Sequence, residues 1–306
     1  MCHVSYSKET EYSSKKKLED FNGLPIWATI EITAKCSHKC KWCYGGFDGN
    51  IDKQLSVSDY KKILSKLKEL NIIQITLTGG EPTEHPDFDE IVKLSKGFIL
   101  NLATHGEWED SKLPQKLKDA EINQIQFNYQ GLKHHDSIHG VKGSYAKQVA
   151  SIKRCKKLGI NIVTSLTVGK YNIKDVPVVF KEMEKLGSNR LRVWETTGFG
   201  NKFKKDLEVV DIFDEVTKKA QELNYTYIQS YEPLVKGNVG VSCIALSGLF
   251  LFINYKGEHI FCGAVPSQLN KPLSNILTDS AKTILKNFVL FNNANRRDKP
   301  YCMARD

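Results

Sequence analysis

The 306-residue sequence contains no apolar run approaching the roughly 18 residues a membrane-crossing helix needs. Its opening, MCHVSYSKETEYSSKKKLED, lacks the apolar stretch of a signal peptide, so a cytoplasmic protein is expected. Internal repeats and low-complexity segments are also missing, which excludes solenoid and array architectures. There is no basic arm: residues 1–23 carry four Lys and four acidic side chains, and residues 225–306 carry nine basic and five acidic ones. The net charge of +9, from 44 Lys and Arg against 35 Asp and Glu, is therefore spread along the chain, as on a solvated surface. Such charge favours encounter with an acidic partner, but no appended RNA-binding domain or basic–aromatic cluster argues for nucleic acid.

Cysteine, by contrast, is plentiful, with eight residues at positions 2, 36, 40, 43, 155, 243, 262 and 302. In a reducing compartment disulfides explain them poorly, and metal or redox chemistry explains them better.

From residue 24 to about 224, short apolar segments alternate with helical patterns. Strands are predicted at 26–33, 73–78, 98–103, 123–128, 160–168 and 190–194, several apolar enough for burial on both faces. Ser56 and Asp59 resemble a capping box, after which Val57, Tyr60, Ile63, Leu64, Leu67 and Leu70 recur at helical spacing. Further stripes run through 144–158, 175–186 and 207–223. Six β–α units argue for α/β architecture with a parallel sheet, either doubly wound or a barrel segment. After about 224 the pattern changes: GLFLFINYKGEHIFC reads as a hairpin turning at Gly257, followed by a short helix at 279–289. A domain of residues 24–224 and a small module of 225–306, behind an extension of 1–23, are the expected divisions.

Directly after the first predicted strand, Cys36, Cys40 and Cys43 form a C-x3-C-x2-C run with Trp42 before the last cysteine. Three thiolates on one compact loop can hold three irons of a [4Fe–4S] cube and leave the fourth open. The alternative is a zinc site completed by His38 or a distant ligand, but zinc sites more often use two separated pairs. At the end of the next strand stands Thr78-Gly79-Gly80-Glu81-Pro82. Adjacent glycines permit close backbone approach, and the carboxylate can meet an ammonium group. Parallel α/β sheets and barrels bind ligands at that end of their strands.

With both motifs in this order, residues 24–195 resemble the radical S-adenosylmethionine (SAM) superfamily. The resemblance implies a partial (β/α)6 barrel of TIM type. Cys36, Cys40 and Cys43 would ligate a [4Fe–4S] cluster whose open iron is chelated by SAM. Gly79, Gly80 and Glu81 would hold the amino end of SAM, and Trp42 would lie near the adenine. Softer matches follow. Asn101–Gly106 resembles the family's T-N-G segment, with Thr104 matching and His105 in place of Asn. Asn128 and Gln130 replace the serine and aspartate of an S-L-D-G segment, and His139 replaces the usual Arg in Leu132–Gly140. His134 and His135 read as ordinary surface or polar-core residues, and Cys155 as a core residue on a helical stripe.

Cys243, Cys262 and Cys302, with Gly257 between the first two, resemble the auxiliary-cluster modules called SPASM and Twitch. The Twitch type, with one cluster, fits better because residues 225–306 carry three cysteines where a full SPASM module has several more. His259, Cys2 and Asp306 are among the candidate fourth ligands.

The resemblance implies an enzyme that reductively cleaves SAM to a 5′-deoxyadenosyl radical, which abstracts hydrogen from a substrate carbon. An oxidoreductase of this kind draws electrons from a flavodoxin- or ferredoxin-type donor. The leading expectation for the substrate is a ribosomally made peptide. The alternatives are dehydrogenation of a sugar or aminocyclitol, tRNA modification, or a non-catalytic iron–sulfur protein.

Overall fold

The computed structural model describes residues 24–41, 43–47, 51–168, 171–188, 190–195, 228–229, 248–263, 265 and 270–295. The predicted 207–223 helix lies outside them, as do Cys2, Trp42, Cys243 and Cys302.

All six predicted strands form: β1 (Trp27–Thr33), β2 (Gln74–Gly79), β3 (Ile99–Thr104), β4 (Gln124–Asn128), β5 (Ile162–Val168) and β6 (Arg190–Glu195). They pair in chain order and in parallel, and β6 is joined by the short β7 (Ile228–Gln229). The intervening helices are α1 (Val57–Glu69), α2 (Phe88–Leu94), α3 (Leu113–Asp119), α4 (His135–His139), α5 (Ser144–Lys157) and α6 (Val176–Leu186). Among the described residues the arrangement is a partial, unclosed α/β barrel.

Helix α1 starts where the sequence indicates, because the Ser56 hydroxyl accepts the Asp59 N–H at 3.0 Å. It buries Tyr60, Ile63, Leu64 and Leu67, four of the six predicted stripe positions. In β1, β3 and β5 both faces are largely buried, as expected for several strands, but the second face is mostly polar. In β1 to β4 apolar and polar residues alternate, whereas β5 buries Ile162 and Val163 on opposite faces. Ala28, Ile30, Ile32, Ile75, Leu77, Leu100, Leu102, Ile125 and Phe127 enter the core against the helices. The other face carries Thr29, Glu31, Asn101 and Gln124, all buried. A parallel sheet wrapped toward a barrel buries that second face whatever its polarity, so it can be lined for a ligand rather than for packing.

The C-terminal hairpin is present as β8 (Phe250–Ile253) and β9 (Glu258–Ile260), with Gly257 at φ 76° in its turn, followed by β10 (Ser274–Asn275) and α7 (Ala281–Asn295). Its position was not legible: β8 runs parallel to β1, so the hairpin extends the same sheet, in the order β10-β9-β8-β1-β2-β3-β4-β5-β6-β7. No helix among the described residues is long and apolar enough to cross a membrane.

Candidate active site

The cysteine loop leaves the end of β1 and returns beside it. Ala34 N–H donates to Lys53 O at 2.7 Å and Leu55 N–H to Ile32 O at 2.9 Å, closing the loop at its base. Other elements then pin its length. Lys39 and Lys41 donate backbone N–H to the carbonyls of His139 (3.3 Å) and Ile138 (3.0 Å) in α4. The Ser37 N–H and hydroxyl both donate to Glu84 Oε1, at 3.1 and 2.5 Å. The loop is therefore held by the surrounding fold and does not depend on its thiols for shape.

All three thiols are free. Burial, with the charge of Glu81 adding to it, pushes the Cys36 thiol far up. Burial, then the charge of Cys43, pushes Cys40 up to about 12. Cys43 is also raised by burial, although the N–H groups of Phe47, Gly45 and Gly46 surround its sulfur and partly offset it. Three crowded thiols that cannot ionise alone, with backbone donors already directed at the sulfur, suit a multi-cation group that takes them as thiolates. These residues fit the expected iron–sulfur cluster.

The two glycines at the end of β2 meet protein backbone. Gly79 has φ 132°, and a Cβ there would sit 2.1 Å from Thr33 O; a Cβ at Gly80 would sit 2.1 Å from Lys35 O. Gly80 and Glu81 N–H donate at 2.8 Å to Thr33 O and Lys35 O. The side chains are absent so that this turn can lie directly on the root of the cysteine loop.

Glu81 is 1% exposed and already engaged. Its Oε1 accepts from the Thr104 and Thr83 hydroxyls, both at 2.6 Å, and its Oε2 accepts the His105 N–H at 2.8 Å. The carboxylate thus joins the ends of β2 and β3, which the sequence reading of a plain ammonium partner did not anticipate. Glu81→Ala is expected to strand these buried donors and cost about 3 kcal/mol, read as a lower denaturant midpoint of the cluster-free protein. An unchanged midpoint would remove this role.

Asn128 lies at the end of β4, its side-chain oxygen accepting from Gln130 Nε2 at 2.6 Å. Gln148 of α5 donates to both His105 O and Asn128 O at 2.7 Å, so it links the ends of β3 and β4. The structure therefore brings Cys36, Cys40, Cys43, Gly79, Gly80, Glu81, Thr104 and Asn128 to one end of the sheet. Of the three expected auxiliary-cluster cysteines only Cys262 is described. It is buried, and the neighbouring Gly263 approaches Tyr44 so closely that a Cβ would lie 2.9 Å from its ring. His259 is taken up by Ser274, its Nδ1 lying 3.2 Å from the hydroxyl, and burial lowers its pKa to about 4. Cys155 is a core residue, as expected.

Several site residues escaped the sequence reading. Glu84 is held down to about 2: burial would raise it, but His105 and the Ser37 donors outweigh that. Burial alone would lower His105, yet the Glu81, Glu84 and Glu107 carboxylates raise it. Glu31, 4% exposed on the polar face of β1, accepts from the Tyr44 hydroxyl at 3.1 Å, and burial raises its pKa to about 7. The signal for Glu31 was a lone carboxylate inside an apolar alternation. Because the folded state keeps this proton above the unfolded value, it loses stability as pH rises from about 4.5 through 7. Glu31→Gln, measured without cofactors, is expected to gain about 3 kcal/mol more at pH 8 than at pH 4.5. Equal gains at both pH values would contradict the burial of a titrating carboxyl.

The geometry can be set beside known proteins. The chain is 26% identical over 208 residues to PqqA peptide cyclase of Bradyrhizobium diazoefficiens, covering 65% of this chain and 55% of that one. It is 26% identical over 220 residues to Fe-coproporphyrin III synthase of Methanosarcina barkeri, covering 68% and 54%. The chain thus spans about half the length of these relatives. In fold it is similar to Streptococcus suis SuiB bound to precursor peptide SuiA, with a TM-score of 0.74 at 16% identity, over 92% of this chain and 70% of that one. Residues 30–183, half of the chain and the part that carries both motifs, match the Radical SAM superfamily. The chain belongs to that superfamily.

Proposed function

We propose that this protein is a radical SAM enzyme that modifies a peptide. The observation carrying the chemistry is the direct seating of Gly79–Glu81 on the root of the loop bearing Cys36, Cys40 and Cys43. When bound, the [4Fe–4S] cluster and SAM supply one-electron reductive cleavage of the sulfonium and, through it, hydrogen abstraction from an unactivated carbon. The residues of this chain do the rest. Cys36, Cys40 and Cys43 would hold the cluster. Gly79, Gly80, Glu81, Thr104, Asn128 and the backbone of Trp42 would form the SAM cradle. The polar face of the sheet, with Glu31, Asn101 and Gln124, would line the substrate space. Burial of that face keeps bulk water away from a reactive site.

Residues 24–224 would form the catalytic barrel. Residues 225–306 would form an auxiliary-cluster module in which Cys243, Cys262 and Cys302 bind a second cluster. The closeness of Gly263 to Tyr44, beside Cys43, supports this reading by placing the two cysteine segments near each other. A flavodoxin- or ferredoxin-type protein would deliver electrons.

Two comparisons support a peptide substrate: the similarity to a peptide cyclase and the fold shared with a precursor-peptide complex. The test is co-expression with short peptides encoded beside the gene, followed by mass spectrometry. A change in peptide mass that disappears in the Cys36→Ala variant is the expected result. Unmodified peptides beside a SAM-cleaving enzyme would overturn the peptide assignment and leave the chemistry standing.

A further inference from the structure

Below the cysteine loop is a second cluster of potential ligands. His38, from the loop itself, places Nε2 3.2 Å from Glu107 Oε2, and His139, at the end of α4, places Nδ1 3.3 Å from Glu107 Oε1. One donor atom from each of the three residues lies within 4.8 Å of the others. His38 is 2% exposed and His139 fully buried. The Ser144 hydroxyl also reaches Glu107 Oε1 and lies 3.2 Å from His139 Nδ1. The His105 ring stacks on His38 with centroids 3.8 Å apart, and His135 packs on His139 at 4.0 Å.

We propose that His38, Glu107 and His139 bind one divalent transition-metal ion of zinc type, as a structural site separate from the iron–sulfur cluster. Two imidazoles and a carboxylate are a ligand set that suits such an ion, with Ser144 or water available for a fourth position. The separations agree. A tetrahedron with bonds of about 2.0–2.1 Å has ligand–ligand edges of about 3.3 Å, whereas a charge-assisted hydrogen bond shortens to about 2.7–2.9 Å. His38 Nε2 and His139 Nδ1 each lie about one such edge, 3.2 and 3.3 Å, from a different oxygen of Glu107, so the carboxylate would take the ion through both oxygens.

The surroundings agree as well. His38 Nδ1 and His139 Nε2 are buried without a hydrogen-bond partner, so no second bond fixes either ring's tautomer and the nitrogens facing Glu107 can offer lone pairs. Positions 105 and 139 are also where the sequence departs from the superfamily pattern, and both departures are histidines packed on His38. Such an ion would join three segments: the cysteine loop, the segment after β3 and the end of α4. It would fix the loop by a route independent of the thiolates.

The test uses the full chain with its iron–sulfur clusters reconstituted, exposed to Zn2+ and then desalted. The expected result is about one zinc per chain, with N and O neighbours at about 2.0–2.1 Å and no sulfur near 2.3 Å by zinc-edge X-ray absorption. In His139→Ala and Glu107→Gln the zinc should fall at least tenfold while the iron count holds. Zinc should also raise the Tm of the wild type, a readout that does not require the variants to fold. Failure of the wild type to retain zinc would overturn the proposal. So would a sulfur-containing zinc shell, or retention unchanged in folded His139→Ala. In each of those cases the cluster is a hydrogen-bonded brace only.

Discussion

Changing Cys36, Cys40 and Cys43 together to alanine is expected to remove about four irons per chain and leave the fold in place. The loop keeps its shape through contacts that do not involve sulfur. These are the Lys39 and Lys41 N–H groups on α4, Ser37 on Glu84, His38 beside Glu107, and the closure between Ala34 and Lys53. Burial pushes each of the three thiols well above neutrality, so they are protonated in the cofactor-free protein and the variant loses only their packing. Iron counting with Mössbauer spectroscopy reads the result. Iron left in the triple variant should be lost when Cys262 is changed as well, as an auxiliary cluster requires. A triple variant with the full iron count would place the first cluster elsewhere.

Gly80→Val is expected to have nearly as large an effect, on two properties at once. Even the first side-chain carbon would lie 2.1 Å from Lys35 O and 2.8 Å from Ala34 O. Neither atom belongs to a flexible side chain, so the backbone ahead of Cys36 has to move. Overpacking of this kind costs about 3 kcal/mol. The displaced backbone carries the cluster ligands, so iron content and SAM affinity should fall together. From the sequence alone, a bulkier residue here threatens SAM binding only. Equilibrium SAM binding and iron analysis on the same preparation separate the two cases: normal iron with weakened SAM binding would show that Gly80 faces the ligand and not the loop.

The fold was legible where periodicity and termination agree. The six strands end beside glycine, threonine or asparagine turns, and α1 begins at a serine cap, so short-range chemistry placed them within a residue or two. The position of the hairpin was not legible, because the pairing of β8 with β1 joins residues more than two hundred positions apart. The polar lining of the second face was not legible: the apolar character of the strands pointed to burial on both faces, and nothing in it marked Thr29, Glu31 and Asn101 as buried groups.

The candidate site divides similarly. The cysteine spacing and the Gly-Gly-Glu-Pro turn are contiguous and were readable. Glu84, Glu107 and Gln148 act across 20 to 69 residues of chain, and each is an unremarkable polar residue in its own segment. His105 and His139 stood out only as departures from a pattern. Their convergence on His38 is a property of the fold.

The central claim is that the loop of Cys36, Cys40 and Cys43, seated on Gly79–Glu81, performs reductive SAM cleavage. The measurement that tests it most directly is release of 5′-deoxyadenosine and methionine from SAM by the anaerobically reconstituted protein under a chemical reductant. The account predicts release by the wild type and none by the Cys36/Cys40/Cys43 triple-alanine variant. Release by the variant at the wild-type rate, or none from cluster-loaded wild type, would contradict it.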